Sequence, residues 1–374
     1  MAISDPDGYL EFSVRPLGKS TEIARLHIDA ATDSQGAQHL LEIRSSNHPT
    51  PDMPTPPERP RPLRGRGVRT SPPLGLDECL SLSDEEIFER GYPLRPNPDV
   101  APMAFNSWRR FVSAPVTFVE PQIASRPDIA RTHRKMNQNL DPQSLQESDN
   151  WSGYQLIDEP GTYDWVYAEW HLPGAGAGPF NPHTYNAFWV GLDGTGTRDL
   201  VQAGTEGNGI VDGTLCTSTF FAWTALLPEQ WAAQQITNFP LRIGDNIQCA
   251  VQTANSEADV PSIGGALAIF SLANERTHQY TRVTTPRKFT EVSGSQADWI
   301  MERPTVNGGH SDLATYNTAT MKFPLADREN PLEEVGYLEA PNDQITMVSQ
   351  EGRTLSTVTP IDNDTMQFTW HNFK

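Results

Sequence analysis

Apolar and polar residues alternate with period two along much of this chain, and that pattern predicts strands. Leu10, Phe12 and Val14 interleave with Glu11, Ser13 and Arg15, and Ala24, Leu26 and Ile28 with Arg25, His27 and Asp29, while Leu41 and Ile43 flank Glu42. Successive side chains of a strand point to opposite faces, so residues 8–45 read as short half-buried strands. From 150 onward, β-rich runs recur between Gly, Pro, Asn and Asp, at 165–172, 186–192, 199–204, 217–226, 247–253, 265–272, 278–284, 297–302, 313–323, 344–349, 354–360 and 366–371. Short strands at this spacing, with almost no helical period, predict an all-β domain, an antiparallel sandwich or barrel. In one run Phe220, Ala222 and Thr224 interleave with Phe221, Trp223 and Ala225, so both faces are bulky. A strand with one side in a core and the other toward a cleft reads this way, and so does a strand buried on both faces.

Between these regions the pattern breaks. Nine prolines fall between Asn47 and Pro73, with Arg59, Arg61, Arg64, Arg66 and Arg69 among them. Such a stretch lacks apolar anchors and favours extended, solvated chain, which predicts a linker. Ser83 and Glu86 have the capping-box spacing and Gly91 supplies a stop, predicting a short helix at about 84–90. A second helix, from about Pro102 to Val112, carries Phe105, Trp108 and Phe111 on one face, as packing residues. The expected division is a small β-rich segment at 1–46, a Pro/Arg-rich linker at 47–75, a short helical pro-segment or accessory region at 76–149, and a β-sandwich domain at 150–374.

Charge sharpens this division. Residues 1–140 hold 17 Lys and Arg against 18 Asp and Glu, and residues 141–374 hold 11 against 29, so the net charge of −19 lies almost wholly in the second half. An acidic surface repels phosphate backbones, which argues against nucleic acid as a partner. The near-neutral first half, with its arginines, is expected to dock on the acidic domain. No run of 18 apolar residues exists, so no membrane-spanning helix and no membrane partner are expected. The first residues carry neither a basic nor an apolar leader pattern, so no signal peptide is visible and the compartment stays open. Cys79, Cys216 and Cys249 are read as free thiols, and the scattered histidines have no zinc-ligand spacing, so no metal and no cofactor are expected.

Four segments, in order, resemble the glutamic peptidase (eqolisin) family. They are Asn150-Trp151-Ser152-Gly153; Phe188-Trp189-Val190-Gly191-Leu192-Asp193-Gly194 with Leu200-Val201-Gln202-Ala203-Gly204; Phe221-Ala222-Trp223 running to Pro228-Glu229, with Arg242-Ile243-Gly244-Asp245-Asn246-Ile247; and Ala297-Asp298-Trp299-Ile300-Met301-Glu302. The resemblance covers roughly 150–374. It implies a two-sheet, concanavalin-like antiparallel sandwich and an acid-active endopeptidase acting on polypeptides, with Gln202 and Glu302 as the catalytic pair. It also implies substrate-binding roles for Trp189, Asp193, Glu206 and Trp223, and a pro-segment removed on activation. A carboxylate at Glu302 can take a proton from water and later return it to the leaving amine. The Gln202 amide can orient that water and donate to the oxyanion.

The sequence also departs from the family pattern. Glu206 lengthens an acidic side chain, Phe221 replaces an acid, Thr224-Ala225-Leu226-Leu227 replace aromatic and acidic positions, and Arg303 stands where the family has Asp. An arginine gained by the cleft in this way is expected to shift the pKa of Glu302. The alternative reading from another class is a non-catalytic sandwich that binds a peptide or glycan in the same cleft.

Overall fold

The structure, a computed structural model, describes residues 69–374 apart from 136–146, 254–265, 287–290 and a few shorter pieces, together with three strands within residues 1–62. Residues 1–62 and 63–374 form separate compact units. In the first, Tyr9–Val14 pairs antiparallel with Glu22–His27, which pairs with Arg44–Ser45, in agreement with the alternation there. The proline-rich stretch up to residue 68, and Leu41 and Ile43, lie outside the described residues.

The second unit is a two-sheet antiparallel sandwich. The front sheet runs, strand by strand, Ile123–Ala130, Gln230–Ile236, Leu215–Leu227, Leu200–Asp212, His183–Asp193, Gln296–Glu302, Trp151–Ile157 and Asn342–Val348. The back sheet runs Val116–Phe118, Gln279–Pro286, Ala266–Asn274, Asn246–Thr253, Tyr163–His171, Thr318–Glu329, Thr365–Trp370 and Thr354–Asp362. Asn342–Val348 joins both sheets, pairing with Trp151–Ile157 over its first half and with Thr354–Asp362 at its end. Every run expected from the alternation has a counterpart. The strands Val116–Phe118, Ile123–Ala130, Trp151–Ile157, Gln230–Ile236 and Leu332–Gly336 are among those that come in addition.

Side-chain parity explains the layers. In Leu200–Asp212, Val201 and Ala203 turn into the core between the sheets, where they meet Val190, Trp299, Met301, Val166, Trp170 and Phe270. The alternate residues Gln202, Gly204 and Glu206 therefore face outward from the front sheet. The bulky strand Leu215–Leu227 splits in the same way: Ala222 and Leu226 join the inter-sheet core, while Phe221, Trp223, Ala225 and Leu227 join a second apolar cluster on the outer face. Gly204 is dictated by this packing, because a Cβ there would lie 2.3 Å from the Phe188 carbonyl oxygen and 2.5 Å from Trp189 Cβ.

The outer face of the back sheet is covered by residues from the first half of the chain. The helix Pro102–Val112, at its expected position, buries Trp108, Phe111 and Val112 against Tyr280 and Ala273, with Leu74, Cys79, Ile87 and Tyr92 in the same cluster. Ser107 Oγ donates to Glu169 Oε1 at 2.6 Å, tying the helix to the sheet. The capping box forms as expected, with Ser83 N–H donating to Glu86 Oε2 at 2.8 Å and Glu86 N–H to Ser83 Oγ at 3.2 Å. A helix at Leu76–Ser81, which carries no such sequence signal, precedes it. Cys79, Cys216 and Cys249 are free.

If this helix is part of the same cooperative unit, Phe111→Ala, which empties a buried ring site, lowers unfolding stability by roughly 3 kcal/mol. Chemical denaturation of the full chain checks this. A change below about 0.5 kcal/mol, the scale of a surface substitution, would show the helix to be peripheral.

Candidate active site on the outer face of the front sheet

Strand register places Gln202, Glu302, Trp189, Glu206 and Trp223 on one sheet face in three adjacent rows. The first row reads Phe221, Glu206, Ala187, Glu302, Trp151 from strand to strand. The next reads Trp223, Gly204, Trp189, Ile300, Gly153, and the third Ala225, Gln202, Gly191, Asp298, Gln155. Glu206 and Glu302 thus share a row, and Gln202 lies two rows along. The Trp189 indole spans the gap. Its Nε1 donates to Glu302 Oε2 at 3.0 Å, and its ring edge lies over Gly191, where a Cβ would come within 2.9 Å of Trp189 Cζ3 and 3.1 Å of Gln202 Cβ. Trp151 meets Trp189 edge-on, with ring centroids 5.0 Å apart.

Gln202 and Glu302 are both fully buried and do not bond to each other. Both polar atoms of the Gln202 amide and Oε1 of Glu302 have no protein partner, and neither has Trp223 Nε1. Buried polar atoms are normally hydrogen-bonded. A glutamate whose one oxygen is anchored by an indole while the other is free, beside an amide free at both ends, can hold a water or a peptide group.

The cation at this site comes from outside the expected domain. The strand Ile123–Ala130 pairs with Gln230–Ile236, and its last residues pair with Thr305–Val306, so it passes over the sheet face. Ile129 packs among Trp151, Trp189, Phe221, Trp223 and Ile300. Arg131, held by its N–H donating to the Trp231 carbonyl at 2.7 Å, is fully buried. Its guanidinium pairs closely with Glu206 Oε2, lies 3.5 Å from Glu302 Oε2, and sits 3.7 Å from the centroid of the Trp223 ring. Further along, Arg134 donates to Asp343 at 3.2 Å and its N–H to the Gly194 carbonyl at 3.1 Å. Residues 123–135 therefore cover the face that carries Gln202 and Glu302.

Two expectations change in the structure. Arg303 does not face Glu302: its Nε donates to the Asp149 carbonyl at 2.6 Å, as its opposite parity in the chain requires, and the cation beside Glu302 is Arg131. Asp193 lies off these three rows. Its carboxylate accepts from Gly294 N–H at 2.7 Å and from Ser295 N–H and Oγ at 2.9 Å, pinning the turn that leads into Gln296–Glu302. Arg131, Asp298 and Gln155 are site-face residues that sequence reasoning missed. The arginines of the first half carried a general signal of docking on acid, but nothing singled out Arg131.

With this geometry in view, the Peptidase A4 family model matches residues 149–370, and the chain belongs to that family, the eqolisin or glutamic peptidases. It is a hydrolase of the glutamic-peptidase type. Similar solved structures include scytalidoglutamic peptidase with a transition-state analogue inhibitor, at 19% identity and a TM-score of 0.48, covering 60% of this chain and 98% of that one. SCP-B, an eqolisin in complex with the tripeptide Ala-Ile-His, has 19% identity and a TM-score of 0.46, with the same coverage. Aspergilloglutamic peptidase from Aspergillus niger has 18% identity and a TM-score of 0.42, covering 50% of this chain and 99% of that one. No curated protein matches the sequence.

Burial dominates the electrostatics. It pushes Glu302 up to about 7, with Arg131 opposing the shift and Glu206 adding to it. Burial also raises Glu206 against the pull of Arg131, and places Asp298 well above the usual carboxylate range. Asp193 rises to about 7 through burial and the nearby Asp199. On the back sheet burial raises Glu169, lifts Glu334 to about 7 and Asp327 to about 6.

Each of these carboxyls binds its proton more tightly folded than unfolded, where carboxyls titrate near ~4. Their contribution to stability is complete below about pH 4 and is lost as pH rises through each folded value, about 6 for Asp327 and about 7 for Glu302, Asp193 and Glu334. The melting temperature of the full chain is therefore expected to fall steadily between about pH 4 and about 8. A flat or rising melting profile over that range would refute the protonated, buried state of these groups.

Proposed function

We propose that this chain is an endopeptidase in which Glu302 and Gln202 activate water against a peptide bond. The observation that carries the reading is a fully buried Glu302, anchored through Oε2 by Trp189, whose Oε1 is unpartnered on the same sheet face as an unpartnered Gln202 amide. In its ionised form Glu302 takes a proton from water through Oε1, and the resulting hydroxide attacks the carbonyl carbon. The Gln202 N–H donates to the oxyanion as it forms, and its carbonyl orients the water. Glu302 then returns the proton to the leaving nitrogen. Trp189 keeps the carboxyl aimed, and Trp223 forms a wall of the substrate cleft.

In this reading residues 123–135 are the inhibitory part of a pro-segment. Ile129 and Arg131 fill the space a substrate needs, and strand pairing holds them there. The helical part upstream shares a core with the back sheet and is an accessory region that stays in place. The pH direction follows from burial. Glu302 acts as base only when ionised, so in the full chain catalysis grows as pH rises through about 7. Displacing the covering segment admits water, removes the largest cause of the shift and moves the working range toward acid. Acid activity thus belongs to the opened form.

Glu302→Gln is expected to abolish hydrolysis at every pH, and Gln202→Ala to lower kcat by about 10²–10³-fold, the cost of losing one oxyanion donor. Truncating one partner of a buried charge pair costs about 2–5 kcal/mol, so Arg131→Ala should raise the full chain's rate at least about tenfold by opening the face. Digestion of a denatured protein, followed by mass spectrometry from about pH 3 to about 8, tests all three. Cuts that survive Glu302→Gln would discard the pair. An absence of cuts even by the Arg131→Ala chain would favour a peptide- or glycan-binding sandwich.

A further inference from the structure

Arg131 shows by its own fit what the cleft recognises beside Glu302. Its guanidinium carbon lies over the Trp223 ring, 3.7 Å from the centroid, with the group close to Glu206 Oε2 and 3.5 Å from Glu302 Oε2. All four side chains are fully buried. The row geometry explains the fit: Glu206 and Glu302 stand two strands apart, with only Ala187 between them. Strands are spaced about 4.8 Å apart, so the gap is a slot about two strand spacings wide, with a small residue as its floor. A planar fork with donors on two edges spans two carboxylates in that arrangement and still stacks on an indole. An ammonium is a point charge and cannot do both.

The slot also leaves the chemistry free. Trp189 and the guanidinium both address Oε2 of Glu302, while Oε1 and the Gln202 amide have no protein partner. An arginine side chain in the slot therefore does not compete for the oxygen that takes the proton from water.

We propose that the slot between Glu206, Trp223 and Glu302 is a guanidinium-binding subsite next to the scissile bond, and that the peptides this chain cleaves carry arginine in it. The substrate assignment rests on the peptidase reading above; the binding assignment does not. Arg131 is the chain's own occupant and competes with substrate arginine.

Two measurements on the full-length chain test this. In the first, agmatine, a guanidinium and an amine joined by a four-carbon stem, is titrated at near-neutral pH against the Arg131→Ala chain, with cadaverine as the diamine of equal charge. Agmatine is expected to raise the melting temperature by a few degrees at roughly a hundred times its Kd, cadaverine less. The shift should be absent from the wild-type chain, whose slot is filled, and lost when Glu206→Gln is added. No shift in the Arg131→Ala chain, or an equal shift in wild type, overturns the slot. In the second, peptides cut by the Arg131→Ala chain are sequenced. Arginine should be enriched about tenfold over background at one fixed position beside the cut, with lysine well below it. Adding Glu206→Gln should flatten the preference. Glu302-dependent cuts without arginine bias would overturn the substrate assignment and leave the peptidase reading intact. Agmatine binding without any cut would keep the slot and sink the peptidase reading.

Discussion

Two carboxyls in one row of a dry sheet face set the terms for the rest of this site. Glu206 and Glu302 are removed from water, and a buried carboxylate is tolerated only if it is paired, hydrogen-bonded or protonated. The structure uses all three solutions together. Arg131 supplies one positive charge for two acids, Trp189 supplies a hydrogen bond, and the remaining imbalance appears as raised proton affinity at both glutamates. Burial costs Glu302 more than one arginine shared by two carboxylates returns, and that leaves Glu302 poised near neutrality instead of locked in a salt bridge. A pair with perfect compensation would be an inert strut.

The same constraint links the two halves of the molecule. Without residues 123–135 the outer face of the front sheet would present Trp151, Trp189, Trp223 and Phe221 to solvent beside two acids. The covering strand meets both demands, with Ile129 against the aromatics and Arg131 against the carboxyls, two residues apart on one side of an extended chain. The excess of negative charge in residues 141–374 thus has a local meaning at the site and not only a global one.

How much of this was legible in the sequence divides along physical lines. Period-two alternation is a local signal, so strands and their inward faces could be read directly; Phe221, Trp223 and Ala225 against Ala222 and Leu226 is the clearest case. The family resemblance pointed to Gln202, Glu302, Trp189, Glu206 and Trp223, and the register gathers these onto one face. Asp193 stands apart from these five because sequence shows its proximity to Trp189 but not the turn of the chain. At φ 66 it leaves the strand and directs its carboxylate to the 294–295 backbone. Arg303 was misread because adjacency to Glu302 in sequence means opposition across a strand. Arg131 was out of reach, since its partners lie 75 and 171 residues further along and no local pattern encodes such a pairing.

The covering segment also explains why a cleft that departs from its family at several positions can remain coherent. Phe221, which stands where the family carries an acid, lies 5.2 Å from the Arg126 guanidinium of the same segment, so the replacement trades a charge for a ring that still engages an arginine. Glu206, where the resemblance implies a shorter acid, pairs with Arg131. Arginines of the covering strand thus meet two of the altered positions, and the changes form one adaptation to a cationic occupant instead of scattered losses.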